Sequence, residues 1–329
     1  MRRRPKVPPA PLPQRHGVDP VRLKLPAEGP WLTVREHLVD RLPTVDPARI
    51  DAMLNEREIV GVDGPIAPDQ AFVPGTFLWF YRDLPEEVPV PFEIAVRYRD
   101  EHLLVVDKPH FLATTPRGRH VTETALMRLR RDLALPGLSP AHRLDRLTAG
   151  LAMFVIRPED RGAYQTMFAE RLVRKEYQAV ARHLPGLDLP RTVRSRIVKE
   201  RGVIAAQEVA GPANSESLVE LVEHRGALGR YRLRPTTGRT HQLRLHMSGL
   251  GVPILGDPVY PVLLPEPATD DFTRPLQLLA DVLEFTDPVT GREHRFESAR
   301  TLGAWQAYGE WAGAAPAPVV GPAPQGNAR

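Results

Sequence analysis

The chain has 329 residues, enough for about two domains with buried cores, so a peptide or a small disulfide-stapled module is excluded. It contains no cysteine, which excludes disulfides, thiolate nucleophiles and Cys-ligated zinc or iron–sulfur sites. The formal net charge is only +4, so the position of the charges is more informative than their total.

The first 30 residues predict a disordered basic arm. They hold seven Lys or Arg, two acidic residues and eight Pro, a composition that cannot easily bury a core. The Pro-rich stretch is unlike the apolar core of a signal peptide, and no run approaches about 18 apolar residues. We therefore expect a cytoplasmic protein without a membrane segment. Residues 313–329, rich in Ala, Pro and Gly, predict a second disordered tail.

Residues 31–86 predict a small α+β unit with two short helices and a hairpin that turns at Asp63-Gly64. This unit holds five Arg and ten acidic residues, a net charge of −5. The Pro-rich stretch from Leu84 to Pro91 predicts a linker, so we expect a larger domain over residues 92–312.

The larger domain predicts many strands and few helices. The strand-like runs are Glu93–Tyr98, Leu103–Asp107, Leu151–Arg157, Glu176–Ala181, Arg194–Lys199, Leu218–Glu223, Tyr231–Arg234 and Leu276–Phe285, and the helical patterns are Glu123–Leu133, Pro158–Leu172 and Thr240–Ser248. This pattern favours an α+β fold with a mainly antiparallel sheet. Residues 171–246 carry a net charge of +8, so we expect any RNA to bind there.

One string, His142-Arg143-Leu144-Asp145-Arg146, places a carboxylate between two guanidinium groups just before an apolar run. Such neighbours keep a carboxylate ionised. Chemistry alone leaves two interpretations open: a nucleophile or base at a sheet edge, or a surface cluster of ion pairs.

A second string runs from Pro235 to His246 and predicts a turn that leads into a short helix with Thr240 at its cap. Arg244 lies one turn beyond Thr240, so both can face one site. The alternative is that His241 and His246 are packing residues. The two histidines are five residues apart with no Glu between them, and we expect no metal site and no cofactor.

Together these strings resemble the RluA-type pseudouridine synthases over most of residues 92–300. The matching motifs, in chain order, are Leu103 to Pro109, the His-Arg-Leu-Asp string with Thr148 and Gly150, Lys175 to Ala179, Gly238 to His246, and Gly251 to Tyr260. The sequence departs from the family pattern at Ala149, where Ser is usual, and at Leu279, where His is expected. Neither change removes an expected catalytic group.

The resemblance implies roles for seven residues. Asp145 is the essential carboxylate, which either attacks C1′ or removes a ribose proton, and Arg244 is its ion-pair partner. Tyr177 stacks on the target base and is a candidate to assist deprotonation at C5. Arg143 fills the gap that the flipped nucleotide leaves. His142, Arg239 and His241 are further candidates for RNA contact.

The resemblance also implies an RNA substrate, most plainly large-subunit ribosomal RNA and next transfer RNA, bound by a monomer. Many relatives carry a small RNA-binding module at the place of residues 31–86, and here that unit is either a degenerate version or a packing domain. Two other functions stay open. One is a non-catalytic RNA-binding protein on the same fold, and the other is a glycoside hydrolase, which usually needs two carboxylates.

Overall fold

The computed structural model describes residues 8–265 and 271–313, which divide into two compact units between Glu86 and Glu87. The parts of the predicted arm and tail at residues 1–7 and 314–329 lie outside the described residues. Among the described residues, no helix is long and apolar enough to cross a membrane.

The first unit has two helices against a four-stranded antiparallel sheet. Its elements are β1 (Val21–Lys24), α1 (Val34–Arg41), α2 (Pro47–Asn55), β2 (Val60–Gly61), β3 (Gly64–Pro65) and β4 (Phe77–Phe80), and the sheet order is β1-β4-β2-β3. The Thr33 hydroxyl caps α1, and the Asp46 carboxylate caps α2. Pro47 occupies the first position of α2, where its fixed φ angle suits a helix. Both predicted helices and the hairpin at Asp63-Gly64 are therefore present.

The prediction of a disordered arm is wrong for the end of that segment. Residues Val21–Lys24 form strand β1, which pairs with Phe77–Phe80, and Leu25 is buried in the core of the first unit. Upstream, the Tyr81 hydroxyl donates to the carbonyl of Pro13 at 2.5 Å. The apolar residues Val21, Leu23 and Leu25 alternate with polar ones, which is the period of a strand, and this short pattern outweighs the Pro-rich composition around it.

The second unit is built on one large sheet. Its strands are β5 (Ala95–Arg99), β6 (Leu103–Lys108), β7 (Ser139–Pro140), β8 (Ala149–Val155), β9 (Arg174–Arg182), β10 (Arg191–Val198), β11 (Gln207–Val209), β12 (Ser215–Arg225), β13 (Leu228–Pro235), β14 (Leu278–Thr286) and β15 (Glu293–Glu297). Its helices are α3 (Ala125–Asp132), α4 (Arg161–Ala169), α5 (Gln242–Gly249), α6 (Gly303–Gln306) and α7 (Tyr308–Gly313), and a 3₁₀ turn (Pro158–Asp160) leads into α4.

The strand order of the large sheet is β11-β10-β12-β13-β9-β14-β8-β6-β5, with β15 added beside β14 and β7 beside β8. All pairings are antiparallel except that of β14 with β8. Each of the eight predicted strand runs overlaps a strand, and the α+β, mainly antiparallel fold class is confirmed.

The parallel contact between β8 and β14 depends on Gly150. Its φ of +108° lies in the left-handed half of the map, and a Cβ there would come within 2.2 Å of the Ala280 carbonyl oxygen. Gly150 therefore lets β8 and β14 approach each other directly after the Asp145 loop, so that loop lies at the end of two interior strands of the large sheet.

The second unit begins five residues before the predicted start at Phe92. The Glu87 carboxylate accepts hydrogen bonds from the backbone N–H groups of Val121, Thr122 and Glu123, and from the Thr122 hydroxyl. These bonds fix the end of the predicted linker to the larger unit, because a charged acceptor shared by several donors is held strongly.

Candidate active site

A cavity of about 750 Å³ opens between the β7–β8 loop, the end of α4, β9 and the loop that leads into α5. All seven candidate site residues from the sequence line it: His142, Arg143, Asp145, Tyr177, Arg239, His241 and Arg244. Among the described residues that line this cavity, Asp145 is the only acid. Its side chain is 35% exposed, so the carboxylate faces the cavity.

The backbone on both sides of Asp145 is fixed by side chains from residues 108–114. The Thr114 hydroxyl donates to the Leu144 carbonyl at 2.8 Å and accepts from the Leu144 N–H at 3.1 Å. His110 Nδ1 lies 2.7 Å from the Leu147 carbonyl oxygen, and the Lys108 ammonium lies 3.5 Å from that of Arg146. These bonds hold the loop while the Asp145 carboxylate remains available.

Lys108 is fully buried at the end of β6, and sequence reasoning assigned it no role. Its ammonium also donates to the carbonyl oxygens of Pro109 and Leu112, at 3.0 and 2.7 Å. Burial lowers the pKa of Lys108 to about 7, although the charge of Asp145 acts in the opposite direction. The sequence signals for this residue were its place after the apolar run Leu103–Val106 and its membership of the Leu103 to Pro109 motif.

Tyr177 lies on β9 and lines the cavity on the side of the central sheet. Burial, and to a lesser extent the charge of Asp145, raises the pKa of Tyr177. The phenol is therefore neutral at any physiological pH. A neutral ring at this position suits stacking on a base better than it suits proton removal as a phenolate.

Arg244 is not the direct partner of Asp145, and that prediction is wrong. Its Nε and Nη2 donate to the two carboxylate oxygens of Asp257 at 2.7 and 2.6 Å, and both side chains are buried. Burial alone would lower the pKa of Arg244, but the hydrogen bonds and charge of Asp257, with a smaller contribution from Asp145, raise it. Arg244 therefore interacts with Asp145 through charge alone and makes its bidentate ion pair with Asp257.

The loop before α5 is shaped by Gln242, which the sequence analysis did not single out. Its buried side-chain carbonyl accepts from the Arg239 N–H at 3.0 Å and the Thr237 hydroxyl at 2.7 Å. Its amide donates to the Glu216 carbonyl and the Ser217 hydroxyl. Four hydrogen bonds from one side chain thus fix the loop that carries Arg239 and His241.

Helix α5 begins at Gln242, and the residue at its cap is His241 rather than the predicted Thr240. His241 has a φ of 58°, in the left-handed region, and its side chain makes no capping hydrogen bond. The backbone conformation turns the imidazole into the cavity, where Nε2 lies 4.0 Å from Asp145 Oδ2.

His142 and Arg239 differ in how firmly they are held. The His142 ring stacks on Phe168 with a centroid distance of 4.4 Å, and its Nε2 accepts from the Met153 N–H at 3.1 Å. Burial lowers the pKa of His142 to about 3, so the ring is uncharged at neutral pH. Arg239 is exposed, and its Nε donates to the Asn214 carbonyl.

Cationic side chains surround the single carboxylate. They are Arg117, Arg143, Arg171, Lys175 and Arg239, all of which line the cavity. In residues 8–265 and 271–313, no group of three or more His, Asp or Glu side chains is arranged to hold a metal ion. The site thus offers one carboxylate, a neutral aromatic ring and a basic rim, a combination suited to a phosphate-bearing substrate.

Comparison with known proteins identifies the family. A family model described as RNA pseudouridylate synthase matches residues 102–249. The dual-specificity RNA pseudouridine synthase RluA of Haemophilus influenzae is 30% identical over 225 residues, which cover 64% of this chain and 94% of that protein. The chain belongs to the RluA-type RNA pseudouridine synthases. It is therefore an isomerase that acts on RNA.

Two further comparisons agree with this assignment. The ribosomal large subunit pseudouridine synthase D of Vibrio vulnificus is 31% identical over 261 residues, which cover 73% of this chain and 78% of that protein. The solved structure of human RNA pseudouridylate synthase domain containing 4 is 23% identical, with a TM-score of 0.50, and it covers 64% of this chain and 89% of its own. The solved structure supports the fold alone.

Proposed function

We propose that this pseudouridine synthase isomerises uridines in large-subunit ribosomal RNA, with Asp145 as the catalytic carboxylate. One observation carries the choice of residue: Asp145 is the only acid among the described residues that line a basic cavity of about 750 Å³. A glycoside hydrolase would usually need a second carboxylate across the bond. The lone carboxylate therefore supports chemistry in which one acidic group acts at the sugar.

The reaction breaks the bond between N1 of uracil and C1′ of ribose and forms a bond between C5 and C1′. The proton on C5 is lost and N1 gains one, so the product is an isomer of the substrate. Asp145 either attacks C1′ or removes a ribose proton, and both roles require an ionised carboxylate with a free oxygen. Tyr177 stacks on the base, because its neutral ring lines the same cavity.

A uridine in structured RNA must leave its stack before the ribose can reach Asp145, at a cost of about a few kcal/mol. We assign Arg143 to the gap that the flipped nucleotide leaves, because it is exposed at the rim two residues before Asp145. Arg239 is exposed on the same rim and is our candidate for contact with the phosphates, and His142, whose neutral ring lines the cavity, is our candidate for contact with the ribose.

The choice of RNA rests on the similar proteins. The name of the Vibrio vulnificus relative refers to the large ribosomal subunit, and its match extends over more of this chain than that of the dual-specificity relative. Ribosomal RNA is therefore our first choice and transfer RNA our second, acted on by a cytoplasmic monomer. We assign little RNA binding to the first unit, where Arg35 is paired with Asp51 and Arg49 with Asp83.

The decisive test of the catalytic assignment is Asp145→Asn, assayed by tritium release from RNA labelled at uridine C5. We expect no turnover and an RNA affinity within a few-fold of wild type, because the amide keeps the shape of the carboxylate but loses its charge. The matched control is Asp188→Asn, the same substitution at an exposed loop position outside the cavity. Turnover by Asp145→Asn at even about a tenth of the wild-type rate would contradict the assignment.

The substrate is tested separately, by mapping pseudouridines in RNA from cells with and without this protein. Loss of one or more large-subunit ribosomal sites is the expected result. Loss confined to transfer RNA would overturn the first choice while leaving the role of Asp145 intact.

A further inference from the structure

His241 has a left-handed backbone conformation. A φ of 58° is uncommon for a residue other than glycine, and such backbone strain is concentrated at functional sites. The side chain is only 12% exposed, and each ring nitrogen faces a different partner. Nδ1 lies 3.0 Å from the Tyr260 hydroxyl, and Nε2 lies 4.0 Å from Asp145 Oδ2.

The Tyr260 hydroxyl is itself fixed. It accepts a hydrogen bond from the Ala206 N–H at 2.8 Å, and the Ala206 carbonyl lies 2.9 Å away as an alternative acceptor for its single proton. The His241 and Tyr260 rings meet nearly edge to face, at an interplanar angle of 84°. Tyr260 therefore determines whether Nδ1 of His241 donates or accepts a hydrogen bond. This choice fixes which ring nitrogen carries the imidazole proton.

Two proton arrangements are available to this pair. If Tyr260 donates to the Ala206 carbonyl, Nδ1 of His241 must donate to Tyr260, and a bare Nε2 lone pair then faces the Asp145 carboxylate. If Tyr260 donates to Nδ1, Nε2 carries the proton and presents an N–H to the carboxylate. The first arrangement keeps the hydrogen bond from Tyr260 to the Ala206 carbonyl at 2.9 Å but turns a lone pair toward the carboxylate. The second gives up that bond and turns an N–H toward the carboxylate, and we infer the second because a hydrogen bond to a charged acceptor is the stronger one.

The ring carries a single proton at neutral pH. Burial lowers the pKa of His241 to about 4, although the charge of Asp145 opposes this shift. Arg244 and Lys199 act in the same direction as burial, and Asp257 acts with Asp145. A neutral ring whose two nitrogens face Tyr260 and Asp145 is poorly suited to neutralise a phosphate. Arg239, on the same loop, is exposed and charged.

We propose that His241 is a positioning residue that acts through Asp145, with Tyr260 holding the tautomer whose Nε2–H faces Asp145 Oδ2. This role replaces the RNA contact predicted from the sequence, and it rests on the proposed catalytic function of Asp145. The bond orients the carboxylate and directs its other oxygen to the ribose. The 4.0 Å separation exceeds a hydrogen bond and must shorten by about 1 Å when RNA binds, as catalytic contacts commonly do.

The test compares two variants of His241 in which a side-chain amide takes the place of one of the two ring nitrogens. In His241→Gln the amide nitrogen reaches the place of Nε2 and keeps the donor toward Asp145. In His241→Asn the amide reaches only the place of Nδ1, and Asn tolerates the left-handed backbone. We expect His241→Asn to lower the single-turnover rate at saturating RNA by about tenfold or more, with the RNA Kd within twofold, and His241→Gln to recover most of the rate.

The matched control is His224→Asn, the same substitution at an exposed position on β12 outside the cavity, which we expect to leave rate and affinity unchanged. A raised RNA Kd in His241→Asn with an unchanged saturated rate would show an RNA contact and overturn the proposal. Equal loss of rate in the Asn and Gln variants, with equal loss of thermal stability, would show a structural role and also overturn it.

A second perturbation covers the case in which His241→Asn does not fold. Tyr260→Phe removes the donor that selects the tautomer, and we expect a smaller loss of single-turnover rate with unchanged RNA affinity. An unreduced rate in Tyr260→Phe would overturn the proposal. Turnover by Asp145→Asn would remove both the proposed function and this inference, whereas an inactive Asp145→Asn beside a fully active His241→Asn would remove this inference alone.

Discussion

Replacing Arg244 by Met breaks the buried ion pair with Asp257 while keeping an unbranched side chain of similar length. The Asp257 carboxylate then stays buried, and its remaining donors in the described part of the chain are the backbone N–H groups of Val259 and Tyr260, at 2.8 and 3.1 Å. Removing one partner of a buried pair leaves a charge without compensation, and this typically costs about 3–5 kcal/mol. In a unit of this size each kcal/mol lowers Tm by about 2–4 °C, so we expect a loss of roughly 6–20 °C.

A double-mutant cycle identifies the partner. Asp257→Asn keeps an oxygen for the two backbone donors and removes the charge, so the double variant Arg244→Met with Asp257→Asn should recover much of the stability that Arg244→Met loses. The same cycle with Asp145→Asn should show a much smaller coupling energy, because Arg244 reaches Asp145 only through its field.

The assay is urea unfolding followed by tryptophan fluorescence. Replacing Trp31 and Trp79 by Phe in every variant leaves Trp305 and Trp311, which report on the second unit alone. We expect a coupling energy of about 2 kcal/mol or more between Arg244 and Asp257. Equal or larger coupling between Arg244 and Asp145 would refute the reasoning and restore the partner that the sequence predicts.

Two other expectations follow from the basic rim and the buried histidines. RNA affinity should fall steeply with salt, and Arg143→Ala and Arg239→Ala should each reduce the slope of log Kd against log salt by about one. The control Arg49→Ala, which breaks ion pairs in the first unit, should leave the slope unchanged. A slope near zero in the wild-type protein would contradict this expectation. Burial lowers the pKa of His110 from 6.5 to about 4, so its contribution to stability is complete above pH 6.5 and is lost as the pH falls toward 4. His110→Asn keeps a donor for the Leu147 carbonyl. Urea unfolding from pH 7 to 4 should show that the slope of the unfolding free energy against pH falls by up to one proton, about 1.4 kcal/mol per pH unit. An unchanged slope would show that His110 does not titrate in this window.

Strands with a buried apolar run could be predicted from the sequence, and strands defined by their neighbours could not. Every residue of β6 and β8 is buried, and both follow from continuous apolar runs. Strand β15 consists of Glu293–Glu297 and is a strand because it pairs with β14 over five residues. Its own sequence, which is mostly charged, carries little signal of that pairing.

In the candidate site, too, some residues could be predicted from the sequence, whereas their contacts depend on the fold and could not. Resemblance identified Asp145, Tyr177 and Arg244, and the fold brings all three to one cavity. The partner of Arg244 depends on how the chain returns after α5, so a residue thirteen positions further along supplies the carboxylate. Thr114 and His110 contact backbone carbonyl groups, which any residue type presents, and such contacts leave no pattern in the sequence.

The pairing of Arg244 with Asp257 has a consequence for the chemistry of Asp145. A guanidinium in bidentate contact occupies both oxygens of a carboxylate and fixes it in the plane of the fork. Were Arg244 bound in this way to Asp145, one lone pair on each oxygen would be occupied, and the guanidinium rather than the ribose would set the plane of the carboxylate. Asp257 takes that contact instead, so the Asp145 carboxylate is not held in a bidentate pair and its side chain stays 35% exposed. The Asp145 oxygens are therefore open to the cavity, as attack at C1′ and removal of a ribose proton each require.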